Sequence, residues 1–140
     1  FNVDRNAYLL QYHRLRQRAL LLVDEANVSK FWTQAQISMA AYADTCYGRY
    51  KADEPSTFMT PEEQATWFEH NVYWALYTAD EYAWCRSEKM NWWTGKDLPE
   101  TAEAAIISAR YKIENEAWPG IDMGPIFEAA IARQEQAKAQ

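Results

Sequence analysis

His70 stands beside Glu69, and that pair is the first place in this chain to look for acid–base chemistry. A histidine next to a carboxylate can move protons near neutral pH. The spacing argues against it, because neighbours in a helix point about 100° apart and do not face each other. On its own face His70 has Glu63 and Trp74 for company. The plain reading is a polar residue at the edge of a core; the sharper one is an enzyme that uses His70 with Glu69 or Asp80.

Other reactive groups are sparse. A carboxylate-bridged di-metal site needs Glu-x-x-His on two helices, but Leu10 and Trp67 stand three residues before His13 and His70. Two His and two Cys at unrelated spacings do not make a zinc site. There is no Cys-x-x-Cys-His for haem, and Gly48, Gly95, Gly120 and Gly124 form no phosphate-binding loop. No metal and no cofactor is therefore expected.

The remaining candidates are binding groups. Arg14, Arg16 and Arg18 form a basic cluster that could clamp a carboxylate or phosphate; the alternative is a solvated helix face bonded to acidic residues elsewhere. Aromatics are 15% of the chain, with seven Trp and nine Tyr. Trp67, Tyr73, Trp74, Tyr77, Trp84, Trp92 and Trp93 are more than one apolar stripe can bury, and the candidate docking residues are Tyr73, Tyr77, Trp84, Trp92, Trp93 and Trp118. They suit docking on another protein, since Trp and Tyr bury large areas while keeping a polar tip. Alternatively, neighbouring helices cover them all. Stacking on a sugar or a flat cofactor is a third reading.

Cys46 and Cys85 could form a disulfide in an oxidising compartment. In a simple helical hairpin, however, they would stand about 30 Å apart, and a disulfide needs Cα atoms within about 7 Å. Two buried thiols are the competing expectation.

These residues are positioned by helical stretches. Thr60-Pro61-Glu62-Glu63 is a helix start with a capping box, and no Gly or Pro follows until Gly95. That predicts one long central helix over 61–93. The spacing of Tyr8, Tyr12, Leu15, Ala19 and Leu22 predicts a helix over 4–26, and Ser29 caps another over 30–50. Asp97, Pro99 and Glu100 open a fourth over 98–118. Pro125 starts a last one over 125–133, leaving a frayed tail at 134–140. The expected fold is all-α: a single domain, 1–140, built as a four- or five-helix bundle around 61–93.

Composition narrows the partners. Fourteen basic and 20 acidic residues leave a net charge of −6, which disfavours nucleic acid and anionic membrane surfaces. Apolar runs such as Ala19–Val23 fall far short of the roughly twenty residues that span a bilayer, so the domain reads as soluble. The start at Phe1 rather than Met fits a chain that has been processed or trimmed, with export or import into an organelle as one route to it and the compartment left open. The leading expectation is a non-enzymatic helical interaction module, such as an accessory subunit or an inhibitor-type binder. The second is a binder of a small molecule or pigment, with a pocket lined by Tyr12, Trp74 and Tyr77.

Overall fold

The computed structural model describes residues 4–139; Phe1 and Gln140, on which sequence expectations fall, lie outside them. Among the described residues there are six α-helices and one two-stranded sheet: α1 (Arg5–Leu20), α2 (Val28–Gln34), β1 (Met39–Tyr42), α3 (Ala43–Cys46), α4 (Pro61–Thr78), β2 (Ala83–Arg86), α5 (Thr101–Glu114) and α6 (Gly124–Lys138). The chain is mostly helical, in broad agreement with the all-α expectation, with a small two-stranded sheet added to it. No helix of the described residues is long and apolar enough to cross a membrane.

Helix α4 opens as its sequence dictates. The Thr60 hydroxyl accepts from the Glu63 N–H at 3.2 Å, and the Glu63 carboxylate accepts from the Thr60 N–H at 2.8 Å. The same carboxylate takes an ion pair from Arg133 of α6 at 2.6 Å. Trp67, Phe68, Val72, Tyr73, Trp74 and Ala75 are all buried along it. Helix α5 makes its largest contact, and β1, α1 and α3 also pack on it.

The uninterrupted rod over 61–93 is not formed. Helix α4 stops at Thr78, and Ala79 is extended (ψ 150°). The segment Ala83-Trp84-Cys85-Arg86 alternates partly buried and exposed positions with a period of two, which is strand rather than helix patterning. The predicted helix over 30–50 fails for the same reason: Met39 and Ala41 point into the core while Ala40 is exposed. Alanine's helix preference, below about 1 kcal/mol per residue, is overridden by burying that inner face. β1 and β2 pair in parallel, Met39 opposite Ala83 and Tyr42 opposite Arg86. Parallel strands need a long crossover, and α4 is the main part of it.

The other boundaries shift for local reasons. Helix α1 ends at Leu20, not near 26, and of its predicted stripe Tyr8 alone is buried. Leu22 is 89% exposed. Asn27, not Ser29, takes the N-cap position of α2. Helix α5 starts after Glu100, and Asp97 sits at φ 60° in the preceding turn instead of capping it. Helix α6 runs on through Lys138, so 134–138 is helical rather than frayed. Its Gln134 side chain donates to the Asp53 carbonyl.

Asp80 ties these pieces together just past the end of α4. Its carboxylate accepts from the Tyr12 hydroxyl at 2.5 Å, the Ile37 N–H at 2.7 Å and Arg16 at 2.9 Å. Desolvation pushes its pKa up, but those donors outweigh it and hold the carboxyl below its usual value of 3.8. The folded state then gains stability from ionised Asp80 above about pH 4 and loses it as the pH falls through the depressed pKa. Asp80→Asn should cost about 1–2 kcal/mol at pH 7, after allowing for solvent screening. Urea titrations at pH 7 and below pH 4 should show that gap closing.

Candidate functional site: the uncovered sheet face and the cleft beside it

Residues of a two-stranded parallel sheet fall into two sets. Met39, Ala41, Ala83 and Cys85 face inward, where Val72, Ala75, Leu76 and Ile106 meet them. Ala40, Trp84, Tyr42 and Arg86 face out. Parallel sheets normally have both faces covered. Here no helix or strand of the described residues packs over the outer one: Tyr50 meets it at Tyr42, and Trp84 is 50% exposed.

Three adjoining depressions make this face concave. A cleft of about 400 Å³ lies between α1 and β1, lined by Tyr8, Leu15, Met39, Ala40, Asn71 and Trp84 among others. Its floor is fixed by the Tyr8 hydroxyl, which donates to the Asn71 side-chain oxygen. Across Gln11 and Leu15 it adjoins a groove of about 420 Å³ bordered by Leu10, Arg14 and Arg18. Across Ala40 and Trp84 it adjoins a third hollow of about 410 Å³, walled by Tyr42, Tyr50, Arg86 and Glu88. Tyr42 and Tyr50 meet edge to face at 5.6 Å, Arg86 lies 5.8 Å over the Tyr42 ring, and Arg86 pairs with Glu88 at 2.6 Å.

The sequence-predicted binding residues do not form one patch. Trp84 is on the outer sheet face. Tyr73 is buried and donates to the Ala117 carbonyl at 3.1 Å. Trp92 packs on Phe68 with ring centres 6.4 Å apart. Neither Tyr73 nor Trp92 is presented for docking. Tyr77 stacks on Tyr73 at 6.1 Å under Arg5, and Trp118 stands edge-on to Trp74 at 5.4 Å. Trp93, 97% exposed, stands in a turn. The arginine cluster splits: Arg14 and Arg18 border the groove, whereas Arg16 turns to Asp80 and the Trp32 ring, 5.1 Å away. Ala40, Tyr42, Tyr50 and Leu15 were missed. Reading Met39–Tyr42 with a period of two would have placed Ala40 and Tyr42 on one face.

The acid–base pair also separates. Glu69 accepts from Ser108 at 2.7 Å and Lys112 at 2.5 Å, both on α5. His70 is buried, edge-on to Trp74 at 6.2 Å. With Trp74, Trp118, Arg5 and Asp122 it lines a hollow of about 390 Å³ between the start of α1, α4 and the segment before α6. Tyr12 is engaged by Asp80 instead, so the predicted pocket of Tyr12, Trp74 and Tyr77 is not assembled as such. Among the described residues, no three His, Cys, Asp or Glu side chains are grouped so as to hold a metal ion.

Cys46 and Cys85 are free thiols. The hairpin geometry that set them about 30 Å apart does not apply, because β2 returns beside α3. Burial pushes the Cys46 thiol far up and Cys85 adds to that; burial alone raises Cys85 to about 11. Thiolates are the reactive form, so iodoacetamide at pH 8 should label Cys85 slowly and Cys46 only on unfolding. Since both folded-state pKa values lie above the unfolded one, the folded state is favoured up to about pH 8.5 and that contribution fades as the pH rises. Mass spectrometry of native protein alkylated between pH 8 and 11 checks this; equal labelling of both at pH 8 would refute it.

No family model, curated protein or solved structure matches the chain.

Proposed function

We propose that this protein is a non-enzymatic interaction module, an accessory subunit or inhibitor-type binder, that docks a partner protein on the outer face of its sheet. The observation that carries this reading is the uncovered face of a parallel sheet, with Trp84 half exposed and hollows on either side of it. Monomeric domains seldom leave contiguous apolar surface unless something binds there, and half-buried aromatic anchors are typical of interface centres. Glu69 and Asp80 are held in structural bonds, so acid–base catalysis by His70 with either of them finds no support.

A photo-crosslinking benzoylphenylalanine placed at Trp84 should trap one protein from the native source. The same group at exposed Glu128 on α6 should not, and Trp84→Ala should remain folded and lose the partner. Equal crosslinking at both positions, or none at Trp84, would refute the reading.

One observation favours a second reading, a small-molecule binder. The Trp74 indole N–H is buried without an acceptor among the described residues, and its ring lines the hollow that Trp118 overhangs. A bound acceptor would shift the Trp74 indole N–H resonance. A screen of small aromatic acids and amides that leaves that resonance unmoved would remove this alternative.

A further inference from the structure

The ladder between β1 and β2 fixes which backbone groups of β1 are spent. The Met39 N–H bonds to the Tyr82 carbonyl at 3.2 Å, and with Met39 opposite Ala83 the parallel pattern directs the Met39 and Ala41 groups to β2. The Ala40 N–H and C=O therefore point the other way, toward the α1 side. No other backbone or side chain among the described residues bonds them, and Ala40 lines the cleft. The opposite wall is α1, whose Arg14 and Arg18 belong to none of the ion pairs among the described residues. They stand four residues apart, one turn, so they lie on the same side of the helix. Among the described residues, no carboxylate lines the cleft or the adjoining groove, although the protein as a whole carries −6.

Resting on the docking-face reading above, we infer that the occupant of the cleft between α1 and β1 is an extended, acidic segment of a partner protein that adds a third strand to β1 at Ala40. Its backbone pairs with the Ala40 N–H and C=O. An apolar side chain fills the space over Tyr8, Met39 and Leu15. A carboxylate beyond it reaches Arg14 and Arg18, which present forked donors suited to that group. An extended segment fits better than a helix. A helix satisfies its own backbone and would leave the Ala40 groups unpaired, whereas a strand completes them. The local positive charge on an otherwise negative molecule selects acidic segments and speeds their encounter.

The probe is a synthetic peptide obtained by selecting random twelve-residue sequences, displayed on phage, against the full chain. The peptides recovered should carry alternating apolar residues and Asp or Glu. Bound peptide should slow hydrogen exchange at the Ala40 amide by about tenfold or more and leave Met39 and Ala41, already bonded to β2, unchanged. N-methylating the peptide one amide at a time should weaken binding about tenfold at one position, the amide that donates to the Ala40 C=O, a signature that alters no protein residue. The exposed pair Arg14→Glu/Arg18→Glu should lose at least about tenfold in affinity at low salt, and less at high salt.

Recovery of neutral or basic peptides, an N-methyl scan with no sensitive amide, or no enriched peptide would each overturn the strand-addition inference. So would protection of Ala40 by a second copy of the chain at high protein concentration. If Trp84→Ala still abolishes binding while the scan is flat, the docking face stands and the strand occupant falls. If binding survives both Trp84→Ala and the arginine reversals, the docking face itself falls.

Discussion

Replacing Asp44 with alanine should destabilise the protein by about 3–5 kcal/mol, the largest loss expected from removing one polar side chain here. Asp44 has no exposed surface. Its carboxylate accepts from the Ser87 hydroxyl at 2.8 Å, the Glu88 N–H at 2.5 Å and the Lys89 N–H at 3.2 Å. The Ser87 hydroxyl oxygen in turn accepts from the Met90 N–H at 2.8 Å. One side chain on α3 thus gathers the whole turn that follows β2. Alanine would leave several part-buried donors without an acceptor, at about 1–3 kcal/mol each before relaxation. Asparagine keeps one oxygen but aims its N–H₂ at donors, so Asp44→Asn should recover less than half of the loss. Against a typical stability of about 5–15 kcal/mol, either change is severe. Urea unfolding reads it as a lower midpoint with unchanged slope; a loss under about 1 kcal/mol for Asp44→Ala would show that the turn holds without it.

That turn marks where the sequence stops being legible. Helix starts with a chemical signature are readable: Thr60 and Glu63 form the capping box they spell, and Pro125 lies in the first turn of α6. Helix ends without Gly or Pro are not. Nothing local in Thr78-Ala79-Asp80 stops α4. The stop comes from a segment some forty residues away, because the Asp80 N–H bonds to the Ile37 carbonyl and its carboxylate bonds to the Ile37 N–H. Two four-residue strands rich in alanine carry too little pattern to outvote helix propensity, and only their mutual pairing selects them. The candidate site inherits the same difficulty. Trp84 was conspicuous by type, but the proposed site depends on Ala40, a small residue that leaves room beside it and presents its backbone. The arginine cluster was visible as three residues, and only the position of Asp80 explains why Arg16 leaves it while Arg14 and Arg18 stay.

The mostly helical frame and the proposed docking face are linked through α4. Its buried flank holds the inner face of the sheet through Val72, Ala75 and Leu76, and the same helix supplies Asn71 to the cleft floor. The cleft is therefore set by the core rather than by loops, and a site built that way would keep its edge in place before the proposed partner arrives and reduce the ordering cost of binding. Helix α1 is the softer wall. Its bonds to the rest run mainly through Tyr8, Tyr12 and Arg16, while Leu10 and Leu15 on its groove side remain half exposed.

Gly48→Ala should cost about 3 kcal/mol or more, and Gly95→Ala only about 1 kcal/mol, although both glycines have a similar positive φ. Gly48 lies at φ +63° just past α3, and Gly95 at φ +70° in the turn after Trp93. A side chain in that conformation is strained at either site. At Gly95 an added Cβ meets nothing within 4 Å. At Gly48 it would stand 2.7 Å from the Thr57 Cα, 2.8 Å from the Ser56 carbonyl oxygen and 2.9 Å from the Thr57 N. Those atoms are backbone and cannot swing aside as a flexible side chain would. They are also pinned, since Ser56 is fully buried and its carbonyl accepts from Gln64 of α4 at 2.8 Å. The Gly48 carbonyl takes the Thr57 hydroxyl at 3.3 Å, so pushing the two segments apart breaks that bond as well. The difference between the two variants, measured by the same urea titration, isolates the close approach from the conformational strain. Equal losses would mean that the 55–58 turn moves freely and that α3, with Asp44 and Cys46 on it, is less firmly seated than the core around it.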